Sequence, residues 1–290
     1  MQAVKRRAVH APMDARATLS VEPVGITDAE FRRVCDLALR LAGISIAPSK
    51  KGLIIGRWSR RLAHHGLASF GDYLDLLSER DSQVELQIAL DRLTTIETSF
   101  FREPKHFDFL RTQVLPGAQR GAPFRVWSAA CSSGEEPYSV AMLLAAELAM
   151  GNWEVLGTDI SGRVLETARE GLYDLGRAQQ ISPDYLRRFC LKGKGPQDGR
   201  FLIERSLRER VKFAHANLNE PLADFGRFDV IMLRNVMIYF NTETKRRVMS
   251  HLLPSLKPGG YFITGHCDTL AGVAHGLSTC SVSIYRKGRA

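Results

Sequence analysis

From Thr27 onward the chain repeats apolar residues at helical spacing: Phe31, Val34, Cys35, Ala38, Leu39 and Ala42 share one face, with Gly43 just past the end. Thr27 and Glu30 stand at the spacing at which each side chain satisfies a free backbone N–H near the other, so this helix has a defined start as well as a stop. The same periodicity predicts helices over about 51–65, 70–79 and 83–93, and short connections make residues 27–93 a small all-α domain. Residues 1–26 show no sustained period and contain Pro, Gly and small side chains; a flexible extension is expected there.

Beyond residue 120 the pattern changes. Short apolar runs rich in β-branched and aromatic residues, "FRVWSAA" (124–130), "WEVLGTDI" (153–160), "RVKFAHANL" (210–218), "FDVIMLRNV" (228–236) and "GYFITGH" (260–266), alternate with helical segments near 136–150, 162–170 and 242–254. That alternation predicts an α/β fold with a parallel, doubly wound sheet over 94–290, and "CSVSIYRK" (280–287) would add an antiparallel edge strand. About 40 residues separate the helix ending near 170 from the next sheet strand, too many for an ordinary connection. Within them "LRRFCLKGKGPQDGRFLIERS" has two short strands around a Gly/Pro turn, so an inserted antiparallel β-subdomain is expected over about 186–210.

Composition narrows the classes. With 290 residues, 44% hydrophobic and 24% charged, the chain is neither disordered nor fibrous. Its longest apolar runs, such as "VAMLLAAELAM" (140–150), are too short to span a bilayer, so a cytoplasmic protein without membrane insertion is expected. The five cysteines are scattered without a C-x-x-C pair, which argues against disulfides or a zinc site. The adjacent His266 and Cys267 lack ligand spacing, and no metal is expected. Of the net charge of +9, +7 falls within the first 70 residues. A polyanionic partner accounts for this, and so does a basic tail beside a solvated helix face. Arg57, Arg60 and Arg61, at i, i+3 and i+4, share one side of the second helix and are the expected partner contacts.

Ligands of an open α/β sheet bind outside the carboxyl ends of its strands, beside the first strand-to-helix turn. That turn reads "SAACSSGEEPY", which is neither a P-loop nor a dinucleotide fingerprint, so no phosphate is expected. Its small residues permit close approach, and Glu135 offers a charge suited to an ammonium or sulfonium group. Asp159, 25 residues after Gly134, ends the second strand where an acid can accept from two ribose hydroxyls. An adenosine with a cationic amino-acid tail, S-adenosylmethionine, suits both. The competing readings are a dipole-favoured glutamate at a helix start for Glu135 and a helix cap for Asp159.

With "LTTIETSFFREPKHFDFL" from Leu93, "RVWSAACSSGEEPYSVAMLL" from Arg125, "GTDIS" from Gly157, "FDVIMLRNVMIYF" from Phe228 and the following "LKPGGYFITGH", the sequence resembles the CheR-type protein-glutamate O-methyltransferases, the chemotaxis receptor methyltransferases, over about residues 27–288. The resemblance implies a class I methyltransferase sheet, an all-α N-terminal domain and the inserted β-subdomain. It implies methyl transfer from S-adenosylmethionine to glutamates of a chemoreceptor's cytoplasmic domain. By resemblance, Thr98 and Arg102 occupy cofactor-site positions, with Arg102 also near the reacting centre, and Ala129 lines the site. Glu135 meets the methionine amino group, Asp159 the ribose, and Asn217 and Leu218 the adenine edge; Arg234, Asn235 and Tyr239 form the floor near the methyl group. Arg102 and Tyr239 are the expected catalytic pair.

Two departures bear on affinity: Ile96 stands where the family often has Asn, and "GHCD" (265–268) where it often has "GHSE". The resemblance places the receptor on the N-terminal domain, which supports the basic helix as its contact, and in some members a receptor C-terminal tail on the β-subdomain; a monomer and no nucleic acid are expected. The rival classes are a nucleic-acid methyltransferase, which would place Asn/Asp-Pro-Pro-aromatic where "RNVMIY" stands, and a non-catalytic cofactor sensor, to which Ile96 points.

Overall fold

The computed structural model describes residues 24–94, 97–118, 122–148, 151–273 and 276–289; the expected N-terminal extension, up to residue 23, and Ile96 lie outside them. Helix α1 (Asp28–Ala42) begins at the capping box, with the Glu30 amide donating to Thr27 Oγ1 and the Thr27 amide to Glu30 Oε2, and ends at left-handed Gly43. Helices α2 (Lys51–His65), α3 (Phe70–Leu76) and α4 (Gln83–Leu93) enclose a core with α1 that includes Val34, Ala38, Ile54, Trp58, Leu62, Phe70 and Tyr73. A short helix α5 (Pro104–Phe109), extended by a π turn over Leu110–Val114, leads into the sheet.

Chain order then runs β1 (Phe124–Ser128), α6 (Glu135–Glu147), β2 (Trp153–Asp159), α7 (Gly162–Glu170), β3 (Leu172–Asp174), α8 (Pro183–Phe189), β4 (Cys190–Lys192), β5 (Arg200–Ile203), α9 (Arg205–Arg208), β6 (Val211–His215), β7 (Phe228–Leu233), α10 (Thr242–Leu252), β8 (Leu256–Thr264), β9 (Leu277–Ser281) and β10 (Ile284–Lys287). The main sheet has the order β6-β2-β1-β7-β8-β10-β9. Its first five strands are mutually parallel, and β10 pairs antiparallel with both β8 and β9. Buried residues pack against both faces, which explains why the central strands read as continuous apolar runs rather than as alternation.

Three expectations need correction. The run 280–287 is not one strand: it breaks at Val282–Ser283, where Ser283 takes a φ of 63°, so β9 and β10 form a hairpin and β9 is the edge. The β-subdomain has three strands in the order β3-β5-β4 rather than two, and starts at Leu172; β3 is three residues long, too short to show a period. The predicted sheet strands overrun at their carboxyl ends, because small or apolar residues (Ala129 and Ala130, Ala216 and Leu218, Val236) recur after the ladder stops at Ser128, His215 and Leu233.

The helical unit sits over those carboxyl ends. Asn217 Nδ2 donates to the Leu41 carbonyl at 2.7 Å, Asn219 Nδ2 to that of Arg40 at 3.1 Å, and the Ser45 amide to the Tyr239 carbonyl at 2.8 Å. The unpaired carbonyls at the end of α1 thus gain partners from the sheet's loops, which fixes the roof of the site.

Candidate active site

One cavity, about 1110 Å³ with its open mouth, lies between the roof and the sheet. Its walls include Ala42, Ile44 and Leu93 from the helical unit, Glu97, Thr98 and Arg102 from the segment before α5, Ala129–Ser132 and Glu136 from the first turn, Asp159 from β2, Asn217 and Leu218 after β6, and Arg234, Asn235 and Tyr239 after β7. Every sequence-assigned cofactor or catalytic residue except Glu135 is therefore brought to this one space.

The turn after β1 is shaped by its single glycine. Gly134 has a φ of 96°, and a Cβ there would come within 2.8 Å of Ala168 Cβ and of the Tyr173 hydroxyl, so no other residue fits without displacing α7 and the subdomain. Helix α6 starts directly after it. Glu135 is fully buried but turned away from the cavity, ion-paired with Arg177 and accepting from Ser133 Oγ at 2.8 Å. Its neighbour Glu136 lines the cavity, accepting from Ser128 Oγ at 2.7 Å and from Arg234 Nη1 at 2.6 Å. Of the two glutamates, the one assigned to the ligand from sequence is engaged by the β-subdomain. Adjacent helical residues point about 100° apart, and nothing in "GEE" says which faces the cavity.

Asp159 is not the cap of α7. Ser161 caps it, its side chain accepting from the Val164 amide. Asp159 instead accepts from the Ser132 amide at 2.9 Å and the Ser161 amide at 3.0 Å. Burial pushes its carboxyl up, the two N–H donors pull it back, and the balance stays above the usual aspartate value. Ser132 Oγ, also on the cavity wall, is a buried polar atom without a hydrogen-bond partner. An acid beside an unsatisfied hydroxyl, over small residues, fits a ribose and its polar substituents.

Arg234 anchors the floor. Its side chain is 2% exposed, and it donates to Glu136, to the Arg102 carbonyl and to Glu103 Oε2 at 3.1 Å, while its Nε has no partner. Asn235, with a φ of 57°, donates from Nδ2 to Glu103 at 3.1 Å and from its amide to Asp268. Asp268 also accepts from the amides of Gly265 and Ile238 at 2.9 and 3.1 Å, pinning the loop after β7 to that after β8. Gly265 is required there, since a Cβ would meet Asn235 Nδ2 at 2.6 Å. The departure "GHCD" thus keeps an acid that clamps the floor. Of the five non-glycine residues at positive φ among the described residues, Ser132 and Asn235 line this cavity and Phe101 and Glu103 flank Arg102 on its wall, the clustering of backbone strain expected at a functional site.

The basic helix does not present three open charges. Arg61 is paired with Glu85, whose side chain is 11% exposed and also accepts from the Tyr73 hydroxyl at 2.5 Å. Arg57 is partly buried and donates to the Leu93 carbonyl at 2.6 Å, close to Tyr239 at the cavity rim. Arg60 is exposed. The i, i+3, i+4 rule put them on one side but could not foresee that α4 covers part of it.

Residues 96–286 match the family described as "CheR methyltransferase, SAM binding domain", and residues 29–94 match "CheR methyltransferase, all-alpha domain". The chain belongs to the CheR methyltransferase family. It is 39% identical over 265 residues to the chemotaxis protein methyltransferase of Salmonella typhimurium, covering 90% of this chain and 91% of the relative. The Escherichia coli protein of the same name is 38% identical over 267 residues, covering 91% and 92%. Chemotaxis protein methyltransferase 2 of Pseudomonas aeruginosa is 38% identical over 266 residues, covering 89% and 93%. As a CheR family member the chain is an S-adenosylmethionine-dependent methyltransferase with a class I methyltransferase fold, and chemoreceptor glutamate methylation is the family's role. No helix among the described residues is long and apolar enough to cross a membrane.

Proposed function

We propose that the chain methylates receptor glutamates in this cavity, with the cofactor held by Thr98, Ala129, Asp159, Asn217 and Leu218 and the reaction completed at Arg102 and Tyr239. The observation that carries this reading is the convergence of those residues, from five separate segments, on one cavity beside the carboxyl ends of β1, β2, β6 and β7. When bound, S-adenosylmethionine supplies a methyl group on a positively charged sulfur. A glutamate side chain, with a reference pKa near ~4.3, is already ionised at neutral pH and needs no general base. The residues therefore act by placement. Arg102, held at Nη1 by the Glu97 carbonyl, stands on the wall where its guanidinium meets a carboxylate of the substrate or of the cofactor. Tyr239 lines the same cavity. Apolar Ile44, Leu218, Val236 and Phe240 exclude water, which favours a step in which opposite charges vanish. Glu136, which lines the cavity where Glu135 does not, faces the cationic end of the ligand while sharing its carboxylate with Ser128 and Arg234.

The receptor approaches the rim from the α2 side, meeting exposed Arg60 and, next to Tyr239, Arg57. Arg61, committed to Glu85, contributes indirectly by holding α2 against α4. This occupancy also weakens a phosphate-binding reading of the face. The edge strand β4, with Leu191 exposed, would take a receptor tail by strand addition, and the chain acts as a monomer. Labelled S-adenosylmethionine with receptor cytoplasmic fragments tests the reaction: the label should appear in the receptor and leave in mild alkali, as methyl esters do. Alkali-stable label, or label in RNA, overturns it.

A further inference from the structure

We propose that Glu103, His106 and His266 form a binding site for one divalent first-row transition-metal ion, separate from the cofactor cavity and adjoining its floor. One ligand atom from each lies within 4.8 Å of the others: Glu103 and His106 come from the start of α5, as its N-cap residue and in its first turn, and His266 from the loop after β8. None of the three lines the cofactor cavity. Two imidazoles with one carboxylate are a donor set for zinc, iron, cobalt or nickel rather than for calcium or magnesium.

The independent observation is His106. It is 1% exposed, and neither ring nitrogen makes a hydrogen bond. A buried imidazole ordinarily has a partner for at least one nitrogen. Its Nδ1 lies 3.4 Å from Glu103 Oε2, and its ring stands edge-on to that of His266 with centroids 5.0 Å apart. Ligand atoms about 2.0–2.2 Å from a tetrahedral ion are separated by roughly 3.4 Å. The Glu103–His106 distance already matches, and His266, exposed, can close the remaining gap by side-chain rotation.

The local charge also accommodates a cation. Glu103 and Glu136 share the buried guanidinium of Arg234, which leaves one negative charge uncompensated between them. The ion would tie the segment carrying Thr98 and Arg102 to the loop that Asp268 clamps against Asn235, and so would set the cavity floor without entering the methyl transfer.

Calorimetric titration of the full chain, first stripped with a chelator and then dialysed, with zinc chloride should give one ion per chain and a higher melting temperature. Cobalt(II) should give ligand-field bands without a thiolate charge-transfer band. His266→Asn, at an exposed position, should keep its circular dichroism and bind at least tenfold more weakly; His106→Gln serves as the second variant. No stoichiometric binding, a thiolate band, or unchanged affinity in a folded His266→Asn protein overturns the site.

Discussion

Two arginines with little exposed side chain, Arg61 in the helical unit and Arg234 beneath the cavity, are held by acids in opposite ways. Arg61 gives Nε and Nη2 to Glu85, and Tyr73 and His65 complete the group. Burial pushes the Glu85 carboxyl up, but the hydrogen bonds from Arg61, Tyr73 and His65 outweigh it and hold it at about 2. Around Arg234 the capacity is unspent: its own Nε, Ser132 Oγ and both nitrogens of His106 are buried without hydrogen bonds, and four residues nearby sit at positive φ. A saturated polar cluster specifies and stabilises one packing. An unsaturated, strained one costs stability, and the cost is offset when a ligand arrives.

The largest effect should come from breaking the saturated cluster. Arg61→Ala leaves Glu85 buried without its cation and should cost about 3 kcal/mol in urea unfolding, while cofactor affinity stays near wild type. The same cluster sets an acid limit. Because Glu85 titrates lower in the folded chain than its ordinary 4.5, its stabilisation is complete above that value and is lost as pH falls from there toward about 2. A pH-independent unfolding midpoint across that window, or a cost below about 1 kcal/mol for Arg61→Ala, would erase the contrast.

At the cavity the order reverses. Asp159→Asn removes a carboxylate that burial disfavours but leaves one acceptor for two N–H donors, so stability should change by no more than about 1 kcal/mol. S-adenosylmethionine affinity should fall by about 1–3 kcal/mol by calorimetry, the scale of leaving polar partners unpaired. Equal losses of stability and affinity would mean that Asp159 is structural. The smallest change in stability belongs to Arg60→Ala, within about ±0.5 kcal/mol at an exposed site. Receptor methylation should nevertheless drop severalfold and lose part of its salt sensitivity, because screening acts over about a Debye length. Normal methylation by this variant would remove α2 from the docking surface.

Periodicity and end signals are local, and what they predicted held locally. Thr27, Glu30 and Gly43 bound α1 because a cap is settled by residues within one turn, and the alternation of apolar runs with helices was enough for a doubly wound sheet. The motif strings also led to the residues that gather at the cavity. Other features depended on which surfaces meet. The three residues of β3 form a strand only because β5 lies beside them, and the 280–287 run bends only because β8 can pair with one half. Glu135 and Glu136 are chemically the same, and the packing of α6 against Arg177 on one side and Arg234 on the other assigns their roles. Arg61 reads as a surface charge until α4 brings Glu85 across 24 residues. His106 and His266, 160 positions apart, have no ligand spacing in the chain. Only the closure of the β8 loop over α5 brings their rings together, because side-chain chemistry is written in the sequence and the distances between side chains are a property of the packed fold.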